Sequence, residues 1–273
     1  MNDESRLRRF VSNISGAVAL FFRPPPPPGR RPAWPPYGRL ALGALAAILI
    51  VVATVAALDV RSLAGVRVLP AAWVEPFRTI THFGLSGWFL YPTGFLLLAL
   101  AAADSAALPS FSRRVMAAIS IRLGFVFMAV ALPGLFVTII KRLIGRARPF
   151  VAGEDAWTSQ FLVWRPDYAS FPSGHATTSF AAAVAIGALW PRLRPWMWAY
   201  AVVIAISRVF VTAHHPSDVI AGAMAGAIGA LLVRNWYASR RLGFVVTAEG
   251  GVRRLPGPSW RRVKAVARRL VSA

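Results

Sequence analysis

Several apolar runs in this sequence are long enough to cross a lipid bilayer, and no other feature constrains the fold as strongly. About 20 helical residues cover the roughly 30 Å hydrocarbon core of a membrane. A hydrophobic content of 56% and a mean hydropathy of +0.55 are also unusual for a soluble domain of 273 residues. Hydropathy therefore predicts an all-α protein, a six-transmembrane-helix bundle with spans near 40–58, 87–107, 117–140, 173–190, 196–213 and 217–236.

Flanking segments divide the chain into a basic, proline-rich arm (1–39), a membrane domain (40–236) and a basic tail (237–273). Residues 6–22 are amphipathic and predict an interfacial helix, which we expect to be retained because no small-residue cleavage site follows it. The prolines after it favour a stiff spacer, with an SH3-type ligand as the alternative. Gly250-Gly251 predicts a hairpin in the tail, before a basic amphipathic helix. Residues 59–86 are too polar to span and should rest at the membrane interface.

The net charge of +21 is distributed unevenly. Most of the 31 lysine and arginine residues lie in the termini and in the loops on the same side. Because basic residues favour the cytoplasmic side, we predict that the N- and C-termini are both cytoplasmic. The charge is thus a topology signal and an attraction to anionic lipids, so we expect no nucleic acid partner. With no cysteine in the chain, disulfides and thiolate metal sites are excluded.

One loop breaks this distribution. The connection after the third span faces outward, yet it contains Lys141, Arg142, Arg146 and Arg148, and Arg208 lies at the outer end of the fifth span. Cations placed against the topology rule, close to the membrane, indicate a bound anion.

Three short segments fall on this same outer face by the count of spans: Lys141–Pro149, Phe171–His175 and Ser207–Asp218. Lys141, Arg148 and Arg208 offer three cations, two of them planar forks suited to phosphate oxygens. Ser173 and the backbone N–H of Gly174 lie at a predicted helix start, where the amides and the helix dipole favour an anion. Together these residues predict a phosphate-binding site.

Two histidines supply the reactive groups. Asp218 follows His214 by four residues, so its carboxylate can accept the imidazole N–H and leave the other nitrogen free as a nucleophile. His175 is placed to protonate the leaving oxygen and then to activate water. An ordinary histidine pKa near 6.5 makes both roles accessible at neutral pH.

These segments resemble the signature of the type 2 phosphatidic acid phosphatase (PAP2) superfamily: Lys-x6-Arg-Pro, Pro-Ser-Gly-His and Ser-Arg-x5-His-x3-Asp, with every fixed position present. The likeness covers residues 117–236 and implies a PAP2/haloperoxidase-like core and a phosphohistidine intermediate. It implies catalytic roles for His214, His175 and Asp218, phosphate binding by Lys141, Arg148, Ser173, Gly174 and Arg208, and neither metal nor cofactor. The expected enzyme is a lipid phosphate phosphatase of the bacterial inner membrane, with its site on the periplasmic or extracellular side.

Four lipid substrates fit this expectation: phosphatidate, phosphatidylglycerol phosphate, a polyprenyl diphosphate and a lipid A phosphate. The loop 150–170 should border the site, and its aromatic and charged residues favour a bulky head group, hence a diphosphate or a glycolipid. That loop includes Glu154, Asp155, Trp157, Phe161, Trp164, Arg165 and Asp167. The sequence leaves the oligomeric state open.

Two other functions fit the same residues: a vanadate-binding haloperoxidase-like protein, and a non-catalytic transporter or binder of lipid phosphates. Outside the signature, we expect a neutral or gating role for His215 and an interfacial position for His82. Arg142 and Arg146 should either contact a head group or be solvated loop charges. Asp104 and Arg122, inside two spans, are predicted to form a structural ion pair.

Overall fold

The computed structural model describes residues 3–26, 31–103, 108–153, 155 and 157–271. These residues are mainly helical, as the apolar runs predict. The helices in chain order are α1 (Asp3–Phe22), α2 (Tyr37–Thr54), α3 (Val60–Arg67), α4 (Ala71–Thr81), α5 (Gly87–Ala102), α6 (Ser110–Ile144), α7 (Pro149–Ala152), α8 (Gly174–Leu189), α9 (Arg194–Phe210), α10 (Pro216–Ser239) and α11 (Trp260–Val271). The strands β1 (Phe244–Val246) and β2 (Val252–Arg254) pair antiparallel.

The first apolar helix continues beyond its predicted end. A π-helical segment, Val55–Asp59, joins α2 to α3, so the chain is helical from Tyr37 to Arg67. Hydropathy ends the span at position 58 because Asp59 and Arg61 are polar. The helix continues past this point because the charge of Asp59 is compensated: its side chain is fully buried and accepts a hydrogen bond from Arg146.

Four helical stretches within the described residues are long and apolar enough to cross a membrane: Tyr37–Arg67, Ala71–Ala102, Ser110–Ile144 and Pro216–Ser239. The second of these includes much of the segment that we expected to rest at the interface. The predicted spans 173–190 and 196–213 also form helices, α8 and α9, of 16 and 17 residues. Both are shorter than the about 20 residues that a perpendicular crossing takes.

The chain forms two compact units, one of which comprises residues 34–89 and 128–231. Small side chains form much of its interior, since Ala181, Ala182, Ala183 and Ala185 of α8 are fully buried. Aromatic contacts add to this packing, as in the stacked rings of Phe77 and Phe210, 4.3 Å apart. All residues of the three signature segments belong to this unit.

The other unit comprises residues 1–33, 90–127 and 232–273. Phe125 is fully buried, with its ring centroid 5.4 Å from that of Tyr237 and 4.8 Å from that of Phe244. In α11, Val266 is buried in a cluster with Leu108, Val115 and Met116.

The N-terminal and C-terminal segments of this second unit form the predicted elements. Residues 6–22 lie within α1, and the strands on either side of Gly250-Gly251 pair with Val246 opposite Val252. Arg122 donates to the backbone oxygens of Leu255 and Pro256. Its predicted ion-pair partner, Asp104, lies outside the described residues, as do Pro27, Pro28 and Glu154.

Candidate active site

The first signature segment begins where α6 ends. Lys141 lies in the last turn of α6, and Gly145 leaves the helix with a φ of +57°, a left-handed conformation that glycine adopts without strain. A Cβ at Gly145 would also lie 1.6 Å from the carbonyl oxygen of Gln160, so no larger residue fits. After this turn, Arg148 is fixed by its backbone N–H, which donates to Asp167, and by its Nε, which donates to the Pro166 oxygen at 3.0 Å.

The second segment forms the start of α8, as predicted. Ser173 is the N-cap residue, and its Oγ accepts from the backbone N–H of Ala176 at 3.5 Å. A Cβ on Gly174 would lie 3.7 Å from Nζ of Lys141, so the ammonium group of Lys141 lies close to the amides at this helix start. The backbone N–H of Ser173 donates to the carbonyl oxygen of Asp218 at 2.9 Å, which links the second segment to the third.

The third segment is a tight connection between α9 and α10. Arg208 is buried in the last turn of α9, and its Nη1 donates to the hydroxyl of Thr81 in α4. The chain turns at Thr212, which has a φ of +51°, and the backbone N–H of His214 donates to the Arg208 oxygen at 3.2 Å. Asp218 follows in the first turn of α10.

The predicted site residues converge. His175 lies within electrostatic range of His214 and of Lys141, Arg148 and Arg208. Between described residues, no ion pair shorter than 4.0 Å includes any of these three cations. Three neighbouring positive charges without a carboxylate partner form a strong site for a multiply charged anion.

His214 is buried, with 2% of its surface exposed. Burial is the largest cause that lowers the pKa of His214, to about 3; Lys141 and Arg208 also lower it, and Asp218 opposes them. Its imidazole is therefore neutral at physiological pH, which is the state that a nucleophile needs.

The predicted hydrogen bond between His214 and Asp218 is not formed. Nδ1 of His214 lies 3.7 Å from Oδ2 of Asp218, too far for a hydrogen bond. Nδ1 of His215, which is equally buried, lies 3.4 Å from the same oxygen. That oxygen already accepts from the Ser170 hydroxyl and, at 2.8 Å, from the His215 backbone N–H. The carboxylate and the imidazole are therefore neighbours without a hydrogen bond between them.

The expectation for Arg146 was wrong. Its side chain is fully buried, so it is neither a solvated loop charge nor a head-group contact. Its guanidinium donates to Asp218 at 2.6 Å and to Asp59 at 2.8 Å, and it lies 4.3 Å from the ring centroid of Trp157.

The sequence analysis did not predict Asp59, Ser217 or Ser170. Asp59 and Ser217 accept hydrogen bonds from Arg146, and the Ser170 hydroxyl donates to Asp218. Asp59 could have been found, because a carboxylate at the end of an apolar span is rarely accidental. No comparable signal marked the two serines.

The loop 150–170 presents exposed aromatic side chains. Phe161 and Trp164 are 78% and 77% exposed, and the guanidinium of Arg142 lies 5.4 Å from the ring centroid of Trp164. Backbone bonds tie the loop to the first segment, including Gln160 N–H to the Gly145 oxygen at 2.8 Å. Among the described residues, no group of three or more His, Asp or Glu side chains is arranged to hold a metal ion.

Comparison with known proteins identifies the family. The model of the PAP2 superfamily matches residues 122–242. A lipid A 1-phosphatase of Rhizobium johnstonii is 36% identical over 189 residues, which cover 68% of this chain and 77% of that protein. A decaprenylphosphoryl-5-phosphoribose phosphatase of Mycobacterium tuberculosis is 35% identical over 58% of this chain and 80% of its own length.

Among solved structures, the transmembrane PAP2-type phosphatidylglycerolphosphate phosphatase of Bacillus subtilis is similar, with a TM-score of 0.47 and 22% identity over 70% of this chain and 94% of that one. The family match and the apolar helices define a helical membrane phosphatase. The chain belongs to the PAP2 superfamily, in its bacterial membrane lipid phosphatase branch.

Proposed function

We propose that this phosphatase transfers the phosphoryl group of its lipid substrate to His214 and then to water. The observation that supports this most directly is that Lys141 and Arg208 lie within electrostatic range of the buried, neutral imidazole of His214 and, together with Arg148, of His175. None of these three cations forms an ion pair with another residue in the part of the chain that the structure describes. In this scheme Lys141, Arg148 and Arg208 bind the phosphate oxygens, and the helix start at Ser173 and Gly174 provides backbone amides.

The first step forms a bond between Nε2 of His214 and phosphorus while the bond to the leaving oxygen breaks. The imidazole becomes positively charged, and the carboxylate of Asp218 beside Nδ1 stabilises that charge. His175 protonates the leaving oxygen. In the second step His175 takes a proton from water, the water oxygen attacks phosphorus, and His214 leaves as neutral imidazole. Inorganic phosphate is the product, and the scheme assigns no role to a metal ion or cofactor.

For the substrate, we infer a phosphate carried by a glycolipid, with a lipid A 1-phosphate as the first candidate. Two relatives of the chain have names that point to sugar-bearing lipids: lipid A 1-phosphatase and decaprenylphosphoryl-5-phosphoribose phosphatase. The loop beside the site supports a large head group, because exposed Phe161 and Trp164 and the cation of Arg142 offer surfaces for sugar rings and a second phosphate.

We further propose a bacterial inner-membrane protein with six spans, cytoplasmic termini and a periplasmic or extracellular active site. The four long apolar helices and the distribution of basic residues support this arrangement. In this topology α8 and α9 supply the remaining two spans, and the phosphate reaches the site at the level of the outer head groups. The bilayer is then the route by which substrate arrives.

Topology can be tested cleanly because the chain has no cysteine. Single cysteines at the exposed positions Phe161 and Trp260 should react differently with a membrane-impermeant maleimide on intact spheroplasts. We expect Phe161→Cys to be labelled from outside and Trp260→Cys only after permeabilisation. The reverse pattern, or labelling of both from one side, would contradict the proposed orientation.

Function is tested by phosphate release from purified protein in detergent. The assay compares phosphatidate, phosphatidylglycerol phosphate, undecaprenyl diphosphate and lipid A, with His214→Ala as the blank and a chelator in parallel. We expect the fastest release from lipid A, unaffected by the chelator. Release that needs a divalent metal would refute the mechanism, and preference for phosphatidate would refute the proposed substrate.

Two alternative functions predict different results in the same preparation. A haloperoxidase-like protein would oxidise bromide when vanadate and peroxide are added, and we expect no oxidation. A transporter or binder would retain labelled lipid phosphate without releasing inorganic phosphate, and wild type and His214→Ala would then behave alike.

A further inference from the structure

Asp59 is a fully buried carboxylate outside the signature segments. It ends the π-helical segment of the first apolar helix. Its Oδ1 accepts from the backbone N–H of Ser217 at 3.0 Å, and its Oδ2 accepts from the Ser217 hydroxyl and from Nη2 of Arg146 at 2.8 Å. Both partners lie within signature segments, Arg146 in the first and Ser217 in the third.

Arg146 connects this carboxylate to the site. Its Nη2 is bonded to Asp59, while its Nη1 donates to Oδ1 of Asp218 at 2.6 Å and to the Ser217 hydroxyl at 2.7 Å. The guanidinium is therefore held from two sides, and the ring of Trp157 lies against it. A planar group bonded at both ends has little freedom to rotate, so the position of Asp59 helps to fix the geometry at Asp218.

Asp59 also secures the start of α10. Ser217 lies in the first turn of that helix, where backbone N–H groups have no acceptor within the helix. The Asp59 carboxylate accepts one of these bonds and places a negative charge at the positive end of the helix dipole. Asp218 is the next residue, so a shift of this turn would move its carboxylate relative to His214.

We propose that Asp59 is a positioning residue for phosphoryl transfer: through Arg146 and Ser217 it holds the Asp218 carboxylate in its place beside the imidazole of His214. This inference rests on the proposed role of His214 as nucleophile. If Asp59 has this role, the first apolar helix contributes to catalysis, because Asp59 lies 155 positions before His214 in the chain and supports Asp218.

Loss of the Asp59 charge would remove one of the two carboxylates, Asp59 and Asp218, that Arg146 bonds among the described residues. The guanidinium could then turn its whole fork toward Asp218 and draw that carboxylate away from the imidazole. Lys141, Arg148 and Arg208 contact none of these groups by hydrogen bond among the described residues, so they should still bind a phosphate dianion. Ground-state binding and nucleophilic attack should therefore respond differently.

Asp59→Asn is the sharpest test, because it removes the charge and keeps the size and one oxygen acceptor. The purified full-length variant is compared with wild type for kcat and KM, and for inhibition by inorganic phosphate and by orthovanadate. Phosphate needs only the cations, whereas vanadate becomes five-coordinate by bonding to the nucleophile. We expect kcat to fall and the vanadate inhibition constant to rise, each by about 10- to 100-fold, by analogy with the loss of outer-shell residues that orient the ligands of a metal ion. KM and the phosphate inhibition constant should stay near those of wild type.

Glu75→Gln is the matched control, since Glu75 forms an exposed pair with Arg78 at 3.3 Å and should leave all four constants unchanged. If Asp59→Asn does not fold, Ser217→Ala removes the hydroxyl between Asp59 and Arg146 but keeps both charges. It should give a smaller change of the same kind.

Equal changes in the phosphate and vanadate constants would show that Asp59 has only a structural role, and unchanged constants would show no role; either result overturns the inference. The proposed function fails separately, if wild type releases no phosphate or if His214→Ala releases it as fast as wild type.

Discussion

The cations of the signature segments differ in the partners that they bond, and the difference separates Arg146 from three others. Arg146 is fully buried and bonded to two carboxylates, those of Asp59 and Asp218. Lys141, Arg148 and Arg208 form no ion pair shorter than 4.0 Å with any described residue. The same kind of side chain can therefore serve two purposes: Arg146 fixes the protein's own carboxylates, while in the proposed mechanism the other three cations bind the phosphate of the substrate.

The difference has a physical basis. A buried charge is costly unless another charge and hydrogen bonds compensate it, and Arg146 has both. Positive charges held close to one another repel, and a bound phosphate dianion would offset that repulsion. A substitution of Arg146 should therefore lower stability, whereas a substitution of one of the other three cations should lower activity.

The largest effect should come from Arg146→Met, and it should be on stability. The substitution keeps a similar volume but leaves Asp59 and Asp218 as neighbouring buried carboxylates without their cation. Breaking a buried pair in this way costs about 3–5 kcal/mol of the free energy of unfolding. We expect a clearly lower melting temperature in detergent. Arg78→Met, at an exposed ion pair, is the control and should melt close to wild type.

Arg148→Lys should give the next largest effect, on catalysis and not on stability. A point charge cannot reproduce the two-pronged contact of a guanidinium with phosphate oxygens. We expect kcat/KM to fall by about 100- to 1,000-fold, as for loss of one donor to a transition-state oxyanion. The melting temperature should change little. Arg165→Lys, at an exposed arginine of the neighbouring loop, should retain activity. A stability loss in Arg148→Lys as large as that of Arg146→Met would erase the distinction between the two groups.

The smallest effect concerns pH. Burial and the nearby cations lower the pKa of His214 to about 3, so its imidazole stays unprotonated well below the ordinary value near 6.5. Activity should be retained as pH falls through 6.5 and be lost only at more acid pH. The measurement is the acid limb of kcat/KM, corrected for the second ionisation of the substrate phosphate near pH 6. If the corrected acid limb of kcat/KM had an apparent pKa close to 6.5, burial and the nearby cations would not be lowering the pKa of His214.

The sequence predicted the parts of this site that short motifs encode. Fixed spacings around Lys141, Ser173 and Arg208, together with the count of apolar runs, predict that the three segments lie together. The helix start at Ser173 and the hairpin around Gly250-Gly251 followed from local turn and capping chemistry, which acts over a few residues and can be read directly.

Contacts between distant parts of the chain could not be read in this way. From the sequence, Asp59 indicated the polar end of a span. A hydropathy scale counts a charged residue as unfavourable in a membrane and takes no account of a partner such as Arg146 that compensates the charge. Arg146 looked like one of several loop cations, since nothing in its neighbours indicates burial against Asp59 and Asp218. The lengths of α8 and α9 depended on where Pro191 and the tight connection at Thr212 interrupt the helices, which a hydropathy window averages out.

The central claim, that His214 attacks phosphorus held by the three cations, is tested most directly by trapping the intermediate. Wild type is mixed with substrate labelled in its phosphate, quenched with strong base within milliseconds, and digested for peptide sequencing. We expect an acid-labile, base-stable label on the peptide that contains His214, and no label in His214→Ala. A label on His175, or turnover by His214→Ala at the wild-type rate, would contradict it.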